Sequence, residues 1–90
     1  MNPSEIKNRI REYILTETLK NVHITIEDET SLIEGGLIDS YALVRAAMHL
    51  EEDFGISISG EELMVANFDS IQAMAEIVIQ KLAENETSDS

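Results

Sequence analysis

Three stretches of this chain repeat apolar residues at helical spacing, and that periodicity limits the fold more than any other feature. Ile6, Ile10, Tyr13 and Ile14 share one face, with Leu19 extending it. Leu43, Val44, Ala47, Leu50 and Phe54 share a second, and Ile71, Met74, Ala75, Val78 and Leu82 a third. Each stripe has to be buried against another, which predicts helices packed on helices. Asn2 is a suitable N-cap, Pro3 suits the first helical position and Glu5 the positive helix end, so the first helix should run from about Pro3 to Leu19. Its other face, with Lys7, Arg9, Arg11 and Glu12, has a solvated pattern. The second helix should begin at Asp39 or Ser40 and end at Gly55. A short helical turn is expected from Gly60 to Val65 with Leu63 and Met64 facing inward. Asn67 or Asp69 should cap a last helix that frays near Ala83.

Between the first two helices the pattern changes. Val22, Ile24 and Ile26 alternate as in a strand, but no partner strand is evident, and a lone strand leaves its backbone groups unpaired. A long ordered loop is the better reading. Leu32, Ile33, Leu37 and Ile38 would pin it to the core, and Gly35-Gly36 would allow a sharp turn ahead of the second helix. The expected fold is all-α, a small three- to four-helix bundle with a long first loop. Residues 1–83 would form the domain and 84–90, which lack apolar side chains, a disordered acidic tail.

Ninety residues suffice for one domain and leave little volume for an enclosed active site. There is no cysteine, hence no disulfide, thiolate metal site or cysteine nucleophile, and His23 and His49 are too few for a histidine-rich metal centre. Met1-Asn2-Pro3-Ser4-Glu5 shows no signal-peptide pattern, and no apolar run approaches the roughly 18 residues of a membrane helix. With 18 acidic against 6 basic residues the net charge is −12. Such a surface repels nucleic acid and anionic lipid and attracts basic protein patches. A cytoplasmic, monomeric protein is expected, with no membrane insertion.

The most informative stretch is Gly35-Gly36-Leu37-Ile38-Asp39-Ser40-Tyr41, then a helix, then Leu50-Glu51-Glu52-Asp53-Phe54-Gly55-Ile56-Ser57-Ile58. It resembles the phosphopantetheine-attachment region of the acyl carrier protein family, which includes peptidyl and D-alanyl carriers. The resemblance extends from the first helix through Leu82. It implies that a phosphopantetheinyl transferase moves 4′-phosphopantetheine from coenzyme A to the Ser40 hydroxyl. The arm's thiol would then hold an acyl or aminoacyl group as a thioester, so a chain without cysteine can serve thiol chemistry. The implied partners are that transferase, an acyl- or aminoacyl-loading ligase and downstream biosynthetic enzymes. The chain itself would be a non-catalytic carrier, with Asp39 orienting the chain or meeting a basic group on the transferase.

Two further Asp-Ser pairs need separate readings. Asp69-Ser70 lacks the glycine turn and reads as a helix cap, and Asp89-Ser90 falls in the tail. The family's fatty-acid members usually carry Asp-Ser-Leu and acidic residues along the first turns of the second helix. Here Tyr41, Ala42, Leu43 and Arg45 occupy those places, and an acidic cluster of Glu51, Glu52 and Asp53 remains at the far end. A basic docking patch would meet the wrong sign at Arg45. The expectation is a dedicated carrier in a specialised pathway, with Asp39, Tyr41, Ala42, Arg45, Glu51, Glu52 and Asp53 as partner-binding residues.

Other chemistries fit less well. A Ser40–His49 hydrolase would need two groups more than two turns apart on one helix to meet, and no nucleophile elbow is present. Glu27-Asp28-Glu29 lacks the EF-hand pattern and reads as solvated loop charge. Met48, Met64 and Met74 read as core filling that could repack around a tethered cargo between the second and third helices. The rival from another class is an unmodified acidic helical adaptor for basic protein partners.

Overall fold

Local signals start and stop the helices largely where the sequence places them. The computed structural model describes residues 1–21 and 23–88, with side chains through residue 85. Helix α1 covers Pro3–Tyr13, with Asn2 Oδ1 accepting the Glu5 N–H at 2.8 Å. It continues through Ile14–Thr18 as a wider π-turn, in which the Leu19 N–H reaches back to the Ile14 carbonyl at 2.8 Å. Lys20, at φ 53°, ends the helix, and the Asn21 N–H closes on the Leu15 carbonyl. Helix α2 spans Ser40–Phe54, and Gly55 terminates it in the left-handed conformation. A short 3-10 turn, Gly60–Glu62, leads to α3, Val65–Phe68, and α4, Ile71–Ser88.

Ile6, Ile10 and Ile14 from α1 meet Ile71, Met74, Ala75 and Val78 from α4 in one core, to which α2 adds Leu43, Ala46, Ala47 and Leu50. The all-α bundle with a long first loop is therefore what the chain forms. Among the described residues there is no strand, and no helix is long and apolar enough to cross a membrane. The loop is held by Ile26, Leu32 and Ile38, all buried, while Ile24 and Leu37 are exposed and Val22 lies outside the described residues.

Several expectations need correction. The α2 stripe is rotated from the one read off the sequence, so that Ala46 is buried and Val44 is 44% exposed. Ala46 and Ala47 are both buried, and the β-branched Val44 is left outside. Leu63 and Met64 do not face inward. The interior place goes to Phe68, fully buried on α3, a helix the sequence did not announce. Of the three methionines read as core, only Met74 is buried, whereas Met48 and Met64 are exposed. Neither Asn67 nor Asp69 caps α4. Ser70 Oγ accepts the Ala73 N–H at 3.0 Å, and Asn67 donates to the Glu62 carbonyl. The backbone of residues 84–88, read from the sequence as disordered tail, continues α4. Asp89 and Ser90 lie outside the described residues.

The basic face of α1 is not simply solvated. Lys7 Nζ lies 3.2 Å from Asp28 Oδ2, and Arg11 pairs with the same carboxylate and donates to the Ile26 carbonyl at 3.2 Å. Asp28 is thus a tether between loop and helix instead of free loop charge. Arg9 pairs with Asp53 and stacks over the Phe54 ring, fixing α1 to the end of α2.

Candidate attachment site at the start of the second helix

The route into Ser40 is built residue by residue. Asp69, at the junction of α3 and α4, receives the loop. Its Oδ1 accepts the Ile33 N–H at 2.7 Å and the Glu34 N–H at 3.0 Å, and its Oδ2 accepts the Ser31 hydroxyl at 2.7 Å. The Asp69 carbonyl accepts the Leu32 N–H at 2.6 Å. Gly35 and Gly36 then reverse the chain. A Cβ at Gly35 would stand 2.1 Å from the Ser31 carbonyl oxygen, and Gly36 has φ 83°, so both positions require glycine. The Leu37 and Ile38 N–H groups return to the Leu32 carbonyl at 2.9 Å each.

Asp39 Oδ1 accepts the Ala42 N–H at 2.9 Å, which makes Asp39 the N-cap and Ser40 the first residue of α2. Ser40 is exposed, and among the described residues its hydroxyl makes no hydrogen bond. A helix N-terminus favours an anion beside it, so an exposed hydroxyl there suits a phosphodiester. Ser70, by contrast, is half-buried and its oxygen is engaged as a cap.

Around Ser40 the expected partner residues divide into outward and inward groups. Tyr41 is 69% exposed, and the Arg45 guanidinium lies over its ring at 5.8 Å. The tyrosine oxygens, Tyr41 first and then Tyr13, raise the proton affinity of Arg45. Ala42 is half-buried against the core. Glu51 Oε2 accepts the Ile58 N–H at 2.9 Å and holds the chain after α2. Asp53 is taken up by Arg9, with His49 Nε2 3.9 Å away. Only Glu52 of the acidic cluster stays exposed. It lines a surface groove of about 450 Å³ with Tyr13, Tyr41, Arg45, Met48 and His49.

Two features of this region escaped sequence reasoning. Tyr13 and His49 stack with centroids 3.9 Å apart, joining α1 to the middle of α2. The clamp at Asp69 was hidden because an aspartate ahead of an apolar helix has the same local pattern as a cap. A larger groove of about 550 Å³, lined by Met1, Ile6, Phe54, Ile79 and Leu82 among others, lies at the opposite end of α2 from Ser40.

Residues 8–78 match the family model described as phosphopantetheine attachment site. No curated protein matches the chain. The matched span includes the loop, the glycine turn, Asp39, Ser40 and α2, and stops within α4. The chain therefore belongs to the phosphopantetheine-attachment family of carrier domains, non-catalytic modules that hold 4′-phosphopantetheine covalently.

Proposed function

We propose that Ser40 is the attachment point, and that the chain is a dedicated carrier of aminoacyl or short polar acyl groups in a specialised cytoplasmic pathway. The observation that carries the site is the contrast between two serines. Ser40 presents an exposed, unbonded hydroxyl at the start of α2, while the Ser70 oxygen is occupied by the Ala73 N–H. On the transferase, the Ser40 oxygen forms a bond to the phosphorus that bears the pantetheine arm. The bond from that phosphorus to the bridging oxygen breaks, and adenosine 3′,5′-bisphosphate leaves. The serine proton passes to the transferase. Asp39 contributes by capping α2 and so fixing the backbone on which Ser40 stands.

The specialised role is supported by the outward face of α2. Tyr41, Val44 and Met48 are exposed at helical spacing, with Arg45 among them. A loading enzyme that suits this face offers apolar surface and a carboxylate for Arg45, with a basic group for Glu52. An unmodified adaptor could use the same exposed face, and one experiment separates the readings. Incubation with coenzyme A and a phosphopantetheinyl transferase should add one arm to the intact mass, mapped to the Ser40 peptide, and Ser40→Ala should abolish it. No gain in mass supports the adaptor, and an arm mapped to Ser70 or Ser90 refutes Ser40.

A further inference from the structure

We infer that Asp69 is a positioning residue for the modification of Ser40, acting at a distance by docking the loop that carries the serine. The inference rests on the assignment of Ser40 as the attachment point. Four hydrogen bonds converge on Asp69 from residues 31–34: two backbone N–H groups and a hydroxyl on its carboxylate, and one N–H on its carbonyl. The docked segment is in turn the template for the next one. Gly36 donates to the Ile33 carbonyl at 3.0 Å, and Leu37 and Ile38 donate to the Leu32 carbonyl. Leu32 is fully buried and Ile38 nearly so, which locks both ends of the glycine turn. Asp39 and Ser40 follow directly. The approach to Ser40 is thus set from the junction of α3 and α4, on the far side of the loop in sequence.

A carboxylate suits this task better than another interior contact would. Charge-assisted bonds from several N–H and O–H groups to one carboxylate are short and directional. Burial pushes the Asp69 carboxyl up, but the bonds from Glu34, Ser31 and Ile33 outweigh it and hold it below the ordinary carboxylate value, so it stays ionised at neutral pH. Without the clamp the helices still pack on one another, but the turn of residues 35–38 loses its template. The transferase would then meet a chain whose binding-competent loop is populated only part of the time. Apparent affinity falls by that fraction, so a loop docked a tenth of the time raises the apparent Kd about tenfold.

The test compares Asp69→Ala with Asp69→Asn and Ser31→Ala, each incubated with coenzyme A and a phosphopantetheinyl transferase at a temperature where circular dichroism shows it folded. Asp69→Ala should raise KM for the carrier several-fold with little change in kcat, and should speed amide exchange at Ile33, Glu34, Leu37 and Ile38. Asp69→Asn, which keeps an acceptor oxygen for the Ile33 and Glu34 N–H groups, should recover most of the wild-type KM. Val78→Ala, a core truncation in α4 away from the loop, destabilises without touching the clamp and should leave KM unchanged. Unchanged KM in folded Asp69→Ala overturns the inference, as does equal loss in Asp69→Asn, which would show that the transferase reads the negative charge itself. If Asp69→Ala does not fold, Ser31→Ala carries the same test through exchange and KM. A wild-type arm found elsewhere than Ser40 would refute the attachment assignment, a result separate from the exchange measurements on the loop.

Discussion

Asp39 and Ser40 look interchangeable as helix caps in the sequence, yet the geometry gives them different work. The cap bond belongs to Asp39, and the Ser40 hydroxyl is left over. Asp39→Ala should therefore cost about 0.5–2 kcal/mol of stability, whereas Ser40→Ala should stay within about 0.5 kcal/mol. Urea unfolding of the two variants measures both, and equal costs would mean that Ser40 shares the cap. Acidic residues elsewhere make stability depend on pH. Asp28 is held below its ordinary value by Lys7 and then Arg11, and Glu62 by Lys81 and the Ser59 N–H. At Asp69 burial acts upward, and the loop hydrogen bonds outweigh it. All three bind a proton less tightly when folded than when unfolded. Their contribution is complete above the unfolded carboxylate pKa of about 4 and is lost as pH falls through the lower folded values. Thermal melts should show a midpoint that drops between about pH 5 and pH 2, with a smaller drop in Asp69→Asn. A midpoint that climbs on acidification would show that relief of charge repulsion outweighs the lost bonds.

The helices show what kind of information a sequence exposes. Caps and apolar spacing depend on residues a few positions apart, so α1, α2 and the inner face of α4 were legible, including the left-handed Gly55. The same local logic failed wherever the partner is remote in sequence. Glu51 serves the Ile58 backbone, Arg9 serves Asp53, and Asp69 serves a loop more than thirty residues away. Each had the composition of a surface charge. Val44 and Ala46 exchanged roles because a stripe read from hydrophobicity alone favours the larger side chain, and the face of α2 that is buried includes the small Ala46. The setting of Ser40, a glycine turn, a capping aspartate and a helix start, was legible, while the internal bonds of Glu51 and Asp53 were not, and only Glu52 of that cluster is exposed. At this scale the specificity claim is tested by Arg45→Glu. It should improve use by fatty-acid synthase enzymes and slow loading by the native ligase, as read from acylation rates with both enzyme sets. A ligase and a synthase indifferent to the change would leave the carrier assignment standing and remove the specialised one.

For the molecule as a whole, a net charge of −12 on ninety residues opposes compactness. Four of the six basic side chains, Lys7, Arg9, Arg11 and Lys81, pair with carboxylates within the chain. Such solvent-accessible pairs contribute little each and weaken in salt, but screening the far more numerous repulsions over roughly 8–10 Å gains more. The melting midpoint should rise from low to moderate sodium chloride, and an unchanged or lower midpoint would show that the pairs dominate. Arg45 is set apart from this internal pairing. It lies over Tyr41, about 7.5 Å along the helix from Ser40, and so within one screening length of it. With Ser40 as the proposed attachment point, coenzyme A, itself a polyanion, has to approach a protein whose net charge repels it. Beside Ser40 that repulsion is thinned by a positive charge and by the helix end, leaving a low pass in an otherwise uphill electrostatic landscape.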